Sequence, residues 1–498
     1  MKSSYILSII RSGMGVMTSR AVGLFRDVAI AGVYGASALT DLFFVAFAIP
    51  NLFRQFFAEG AISSAYVPFL NDKLVHQGMR AANKYLTQLI LVQTGLIFAV
   101  SALLMLAAPY VIMLFMPGYA ADKESVVVGA TILRIVMPYL FFVGIAGLLA
   151  GYLNLAGSYF VGYASTSLLN LMMIVGAVIG YYKGGNIYYL ALSVLAGGLL
   201  QFLMVYIYSR RKGFRVTAEG PLDTDVKKTY KLLVPSLAGV GISQLNFLVG
   251  RVLASFLAPG SISWLFYANR LFQFPLGVFS VTISTVSLTE LSKVRTAGNN
   301  EGVTVLIDRA ITALLLIIIP ATIGLVGLSE ELIRLIYARS AFTFFDVQMS
   351  ALALKMYSAG LLFYSLASVF TKVYHSDKNT KTPVKYAAIC FCINLIANLL
   401  LMKPLGHTGI ALASSIAALF NTVLLYRGLS GYRFRIRENS KILLKVITAS
   451  CLMAGVMLFL KYQQTPVLVT VTASAVSYFA LLIFMGVRLK DLLKKSIE

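Results

Sequence analysis

Charge is what this sequence has least of. Only 12% of its 498 residues are charged and 19 are acidic, whereas 59% are hydrophobic. Soluble proteins carry about 25% charged residues, so a soluble chain of two or three domains is excluded. Histidine is scarce too: His76, His375 and His407 fall at helix ends or loops, with no carboxylate or serine at a telling spacing. No catalytic constellation is visible. The three cysteines, Cys390, Cys392 and Cys451, lie in apolar segments without metal-ligand spacing to histidine, which leaves packing as their role. No glycine-rich phosphate loop and no ATP motif occurs. No small-residue cleavage site follows the first apolar segment, so the first helix is expected to be retained.

What remains is long apolar runs. Mean hydropathy is +0.83, and runs of 18 or more residues recur from end to end, as in a polytopic helical membrane protein. The pattern predicts an all-α polytopic membrane protein with fourteen spans. They fall at 5–34, 37–69, 84–115, 125–154, 159–182, 186–209, 228–257, 262–292, 304–328, 346–375, 383–403, 407–430, 440–461 and 466–487. The net charge of +23 sits mainly in alternate loops. With the N-terminus cytoplasmic, Lys73, Arg80 and Lys84, the group Arg210–Arg215, Lys378 and Lys381, and Arg433–Arg437 all lie inside. The alternation obeys the positive-inside rule and places both termini in the cytoplasm. It assigns the basic balance to topology and not to nucleic acid.

Ser209 to Thr229 is the one stretch with linker composition. It suggests an N-terminal lobe of helices 1–6 at 1–215, a C-terminal lobe of helices 7–12 at 216–432, and helices 13–14 with a tail at 433–498. At an offset of 225 residues, Arg26, Gly35 and Pro50 coincide with Arg251, Gly260 and Pro275; at 224, Asn170 coincides with Asn394. Coincidence in equivalent spans of one orientation suggests two pseudo-symmetric six-helix lobes.

Ser19 to Glu59 organises the charge. Two spans turn near Gly35, and their apolar background is broken by Arg20, Arg26, Asp27, Asp41, Arg54 and Glu59. An arginine at mid-bilayer costs about 2.5–3.5 kcal/mol on insertion scales, unless it lines a wet cavity or pairs internally. Internal ion pairs are the plain reading. An anion-binding cavity is the sharper one, because arginines outnumber acids mid-span. By helical rise, Arg26 and Arg270 lie about 13 and 15 Å below the outer turns of their repeats, and Arg20 and Arg54 deeper. Arg134 and Arg251 are read as pairing locally or snorkelling. Pro50 and Pro275 interrupt the second span of each repeat and free carbonyls there, so both are candidate hinges.

SRAVGLFRD (19–27), TDLFFVAFAIPNLFRQFFAEGAISSAYVP (40–68), SWLFYANRLFQFPLGVF (263–279) and KTPVK (381–385) closely resemble the MurJ (MviN) lipid II flippases. These belong to the multidrug/oligosaccharidyl-lipid/polysaccharide exporter superfamily. The resemblance covers the whole chain. It implies two lobes, a cationic central cavity, a groove formed by helices 13 and 14, and transfer of undecaprenyl-diphosphate-linked disaccharide pentapeptide between leaflets by alternating access. It places the cavity residues at Ser19, Arg20, Arg26, Asp41, Arg54 and Arg270; Pro50, Pro275 and Glu59 are read, apart from the resemblance, as gating or hinge residues. It further implies a monomer in the bacterial inner membrane, bound to lipid II and membrane lipids but not to nucleic acid. One departure is visible. Where many relatives carry an acid before the arginine of span 7, part of a sodium site, this chain has Gly250 followed by Arg251. Asn394, Asn398 and Ser414 remain as candidates for a weak sodium site. No cofactor is expected, and coupling falls to membrane potential or a monovalent ion.

Competing readings fare worse. A polysaccharide or drug exporter calls for sugar-stacking aromatics or an acidic cavity, and arginines disfavour cationic drugs. A flippase for another polyprenyl-linked oligosaccharide stays open. A membrane-embedded polyprenyl-phosphate transferase requires paired acids or a metal-binding Asp motif at the membrane edge, and none is seen.

Overall fold

The computed structural model describes residues 2–58, 61–217, 220–296, 300–429 and 436–487, with the side chains of 2–17, 61, 300, 436–439 and most of 234–247 outside the description. Among the described residues every regular element is helical. The chain divides into two compact units, residues 1–263 with 339–342, and residues 264–338 with 343–498.

The first unit contains α1 (Lys2–Tyr34), α2 (Ala38–Phe57), α3 (Ala61–His76), α4 (Gly78–Leu106), α5 (Ala108–Phe115), α6 (Lys123–Val136), α7 (Tyr139–Leu155), α8 (Tyr159–Tyr182), α9 (Tyr188–Arg211) and α10 (Thr224–Ala254). The second begins within α11 (Ser261–Pro275) and continues with α12 (Val281–Thr296), α13 (Asn300–Gly327), α14 (Ser329–Tyr337), α15 (Phe344–Ala359), α16 (Leu361–Ser376), α17 (Lys381–Leu405), α18 (His407–Gly428), α19 (Ile436–Tyr462) and α20 (Val467–Phe484).

Eleven helical stretches are long and apolar enough to cross a bilayer, or twelve if α15 and α16 form one broken span. The described residues thus account for eleven or twelve of the expected fourteen spans. α1 and α10, with 33 and 31 residues, occupy the places of the first and seventh.

Local chemistry explains the breaks. Gly35 turns the chain between α1 and α2 at φ +63°, and a Cβ there would lie 2.5 Å from the Ala341 carbonyl oxygen. Only glycine fits both demands. The Ser37 hydroxyl then accepts from Thr40 N–H, at 3.3 Å, and caps α2. Pro138 separates α6 from α7. Gly360 separates α15 from α16 at a bend of 42°. There Ser415 Oγ donates to the Met356 carbonyl at 2.6 Å, which supplies the hydrogen bond that the break removes.

The boundary expected at 215/216 falls inside the first unit. Its cause is a set of buried polar ties. Lys73 Nζ lies 2.7 Å from Asp223 and 3.0 Å from Asp225. Asn83 Nδ2 donates to Gly213 O at 3.0 Å, and Gln88 Oε1 accepts from Asp223 N at 2.8 Å. These bonds fix the linker and the start of α10 to α3 and α4. α19 and α20, the added helices 13 and 14, pack on α13 through Val446, Ala449, Met453, Tyr478, Leu482 and Leu316.

Candidate cation-lined transport site

Arg26 is buried, and its charge is answered from its own helix. Nη2 and Nε donate to Asp27 Oδ1 at 2.6 and 2.9 Å. Adjacent residues on a helix do not face one another, so the guanidinium folds back to reach Asp27. Nη1 donates to Asn170 Oδ1 of α8 at 3.0 Å. Asn170 Nδ2 donates in turn to Ser19 O at 3.3 Å, and Ser19 Oγ lies 2.6 Å from Thr166 Oγ1. Ser19 and Arg26 therefore meet in one network that ties α1 to α8, and the long guanidinium supplies the cross-helix donor.

Arg20, nearly two turns earlier, is exposed. Arg54 is partly buried in the last turn of α2, where the helix dipole favours a cation. In the second unit, Arg270 is partly buried and lies over the Phe266 ring, 5.8 Å from its centroid. Asp41, in the first turn of α2, is fully buried. Its carboxylate accepts from Gly260 N and Ser263 N, both at 2.8 Å, from Ser263 Oγ at 2.5 Å, and from Tyr119 Oη at 3.2 Å. It serves as the anionic cap for the start of α11, where unpaired N–H groups and the dipole both call for one.

The two hinge prolines behave differently. α2 runs unbroken through Pro50, and Asn51 Nδ2 donates to Phe47 O at 2.9 Å. After Pro275 the helix widens into a π turn over residues 276–280, a local loosening of the kind that kinks helices. Glu59, the third gating candidate, lies outside the described residues.

Asn398 Nδ2 donates to Asn394 Oδ1 at 2.9 Å, one turn apart on α17. Asn398 Oδ1 is buried with no hydrogen-bond partner among the described residues. Ser414 does not join them: its hydroxyl donates to Ile410 O of its own helix at 3.1 Å. Two amide oxygens, one already accepting a bond, with neither a carboxylate nor Ser414 beside them, fit sodium poorly. Among the described residues no cluster of three or more metal-ligating His, Cys, Asp or Glu side chains occurs.

Two features escaped the sequence reading. Arg134, read as pairing locally or snorkelling, reaches another helix, where its Nε donates to Met105 O at 3.1 Å. Pro109, four residues on, cannot donate to that carbonyl, and this spacing was a readable signal. Lys355 sits well inside the span begun by α15. The groove that the resemblance implies for helices 13 and 14 has a counterpart: an open apolar groove of about 650 Å³ runs along α19 and α20, lined by Leu452, Gly455, Val456, Phe459 and Ala473. Cys451 also borders it, so Cys451 and Cys392 are exposed and only Cys390 is buried.

A family described as "Lipid II flippase MurJ" matches residues 30–479. The chain belongs to the MurJ lipid II flippase family. Similar relatives described as "Probable lipid II flippase MurJ" come from Vibrio cholerae, 34% identical over 97% of both chains, and Haemophilus influenzae, 34% identical over 96% of this chain and all of the relative. A solved "Lipid II flippase MurJ, inward closed conformation" aligns with TM-score 0.84 at 29% identity, over 95% of this chain and 98% of the other. An inward-facing MATE transporter of the MOP superfamily aligns with TM-score 0.63 at 14% identity, which shows a shared fold alone. This member of the family is a multi-pass membrane protein.

Proposed function

We propose that the chain carries lipid II, the undecaprenyl-diphosphate-linked peptidoglycan precursor, from the inner to the outer leaflet of a bacterial cytoplasmic membrane. The observation that carries this reading is the full-length likeness to a solved lipid II flippase at TM-score 0.84. The substrate crosses unchanged, so the chain is a transporter and not an enzyme. It acts as a monomer with both termini cytoplasmic.

The chemistry suits the cargo. A diphosphate is a dense anion facing a hydrocarbon core of about 30 Å. Guanidinium groups offer charge-assisted, often bidentate contacts to its oxygens. Arg20, Arg54 and Arg270 serve the diphosphate directly. Arg26 reaches it only by exchanging Asp27 for phosphate; otherwise it holds α1 to α8. Asp41 caps α11 in one state and releases it in another, and Pro275 with its π turn provides the bend. The groove on α19 and α20 takes the polyprenyl tail, whose apolar surface needs no polar partner. The exporter and transferase alternatives find no supporting group in these residues.

Coupling rests on membrane potential or on an ion other than sodium at Asn394 and Asn398. Depletion in a cell, with lipid II measured in each leaflet, tests the function. Accumulation on the inner leaflet is expected; an unchanged distribution overturns it.

A further inference from the structure

The two units carry a cation at equivalent depth, and only one of the two is used by the protein. Arg134 stands twelve residues after Asp122, the cap of α6, and Lys355 stands twelve after Thr343, the cap of α15. Both lie about 18 Å along their spans, too deep to be explained by snorkelling from a helix end.

In each unit a proline on another helix frees a carbonyl, since it has no N–H to give to the residue four positions earlier. In the first unit Pro109 frees Met105 O, and Arg134 Nε satisfies it at 3.1 Å. In the second, Pro320 frees Leu316 O, and this oxygen accepts from the Tyr478 hydroxyl of α20 at 2.6 Å. α20 thus supplies what the cation supplies in the first unit. Lys355 is partly exposed and makes no hydrogen bond or ion pair among the described residues.

Its depth and one polar neighbour point to a ligand path. Lys355 shares an exposed stripe of α15 with Gln348 and Leu352, at helical spacing. An ammonium aimed at hydrocarbon at this depth is expensive, and charges kept inside spans mark ligand or ion paths. Two contacts set its level within the unit. Trp264 Nε1 donates to Asp346 Oδ1 at 2.9 Å, and the rings of Phe272 and Tyr357 stack 5.7 Å apart. These hold α11 and α15 in register. Arg270 and Lys355 each precede that ring pair by two residues, so they lie at one level. Two helical residues turn Lys355 away from the Phe272 side, which makes it a separate contact and not part of the Arg270 site.

We propose that Lys355 contacts an anionic group of the polyprenyl-diphosphate substrate at the level of Arg270; this rests on the transport reading above. The anion is either the diphosphate or a carboxylate of the peptide.

Binding of lipid II and of undecaprenyl diphosphate to purified protein in nanodiscs tests it. Lys355→Gln should bind lipid II about ten-fold more weakly, at an unchanged melting temperature, and Lys355→Arg should bind nearly as the parent does. Equal losses for both lipids assign the contact to the diphosphate, and a loss for lipid II alone assigns it to the peptide. Arg134→Gln, by contrast, should lower the melting temperature. Lys355→Cys in a chain otherwise free of cysteine should react with a membrane-impermeant thiosulfonate. Parental binding of both lipids by Lys355→Gln, or no labelling of the cysteine, overturns the assignment. If the parent itself binds neither lipid, the transport reading fails first and the role of Lys355 falls with it.

Discussion

Asn170 and Asn394 stand at equivalent places in the two units and have different company. Asn170 Oδ1 takes a donor from Arg26, whose charge Asp27 balances. Asn394 Oδ1 takes a donor from the uncharged Asn398, whose own carbonyl oxygen is left buried without a partner. One unit closes its polar centre with an ion pair; the other leaves an acceptor unfilled. The residue type is shared, so the difference comes from the neighbours. An amide in a span is a two-way connector, and what it connects is set by whether a charge lies within reach.

The strongest way to break this comparison is to unbalance the charged unit. Asp27→Ala leaves Arg26 buried without its counter-ion and should cost about 3–5 kcal/mol, read as a large fall in melting temperature. The double change Arg26→Met with Asp27→Leu should recover most of that loss, since apolar replacement of a buried pair is often neutral. If the double variant were as unstable as the single one, the pair would not be the source of the cost.

A contact to phosphate contributes somewhat less. Arg270→Ala should weaken lipid II binding by about 1.5–3 kcal/mol and fail to support growth at normal membrane levels. Lysine should rescue it only in part, because it keeps the charge and loses the fork. Full complementation by Arg270→Ala would remove Arg270 from the substrate path.

The amides themselves give a smaller and opposed pair of effects. Asn170→Leu strips a donor of its acceptor and should destabilise by about 1–3 kcal/mol. Asn398→Leu removes an unsatisfied oxygen and should change the melting temperature little or raise it. Equal destabilisation by both would mean that Asn398 Oδ1 has a partner such as a bound ion or water.

The smallest expected effect is that of sodium. With two amide oxygens and no acid, sodium should not shift the melting temperature at low millimolar concentration. A clear shift that disappears in Asn398→Ala would show that the second unit is closed by an ion where the first is closed by Arg26 and Asp27.

The sequence by itself determined the helices, most of their limits and the Gly35 turn. Span 5 was expected at 159–182, and α8 occupies Tyr159–Tyr182. These properties are local: a bilayer penalises each residue for its polarity, and a helix advances by a fixed rise, so hydropathy and counting suffice. Family membership was legible for the same reason, in contiguous segments such as 40–68. Only the tertiary structure decided which partner each polar group obtained. That Arg26 turns to Asp27 and to Asn170, 144 positions away, depends on how α1 lies against α8. That the Met105 carbonyl goes to Arg134 and the Leu316 carbonyl to Tyr478 depends on which helix passes each proline. A span fixes that a buried polar group needs a partner, because hydrocarbon offers none. Packing then chooses the partner, and in the second unit that choice left Lys355 without one among the described residues.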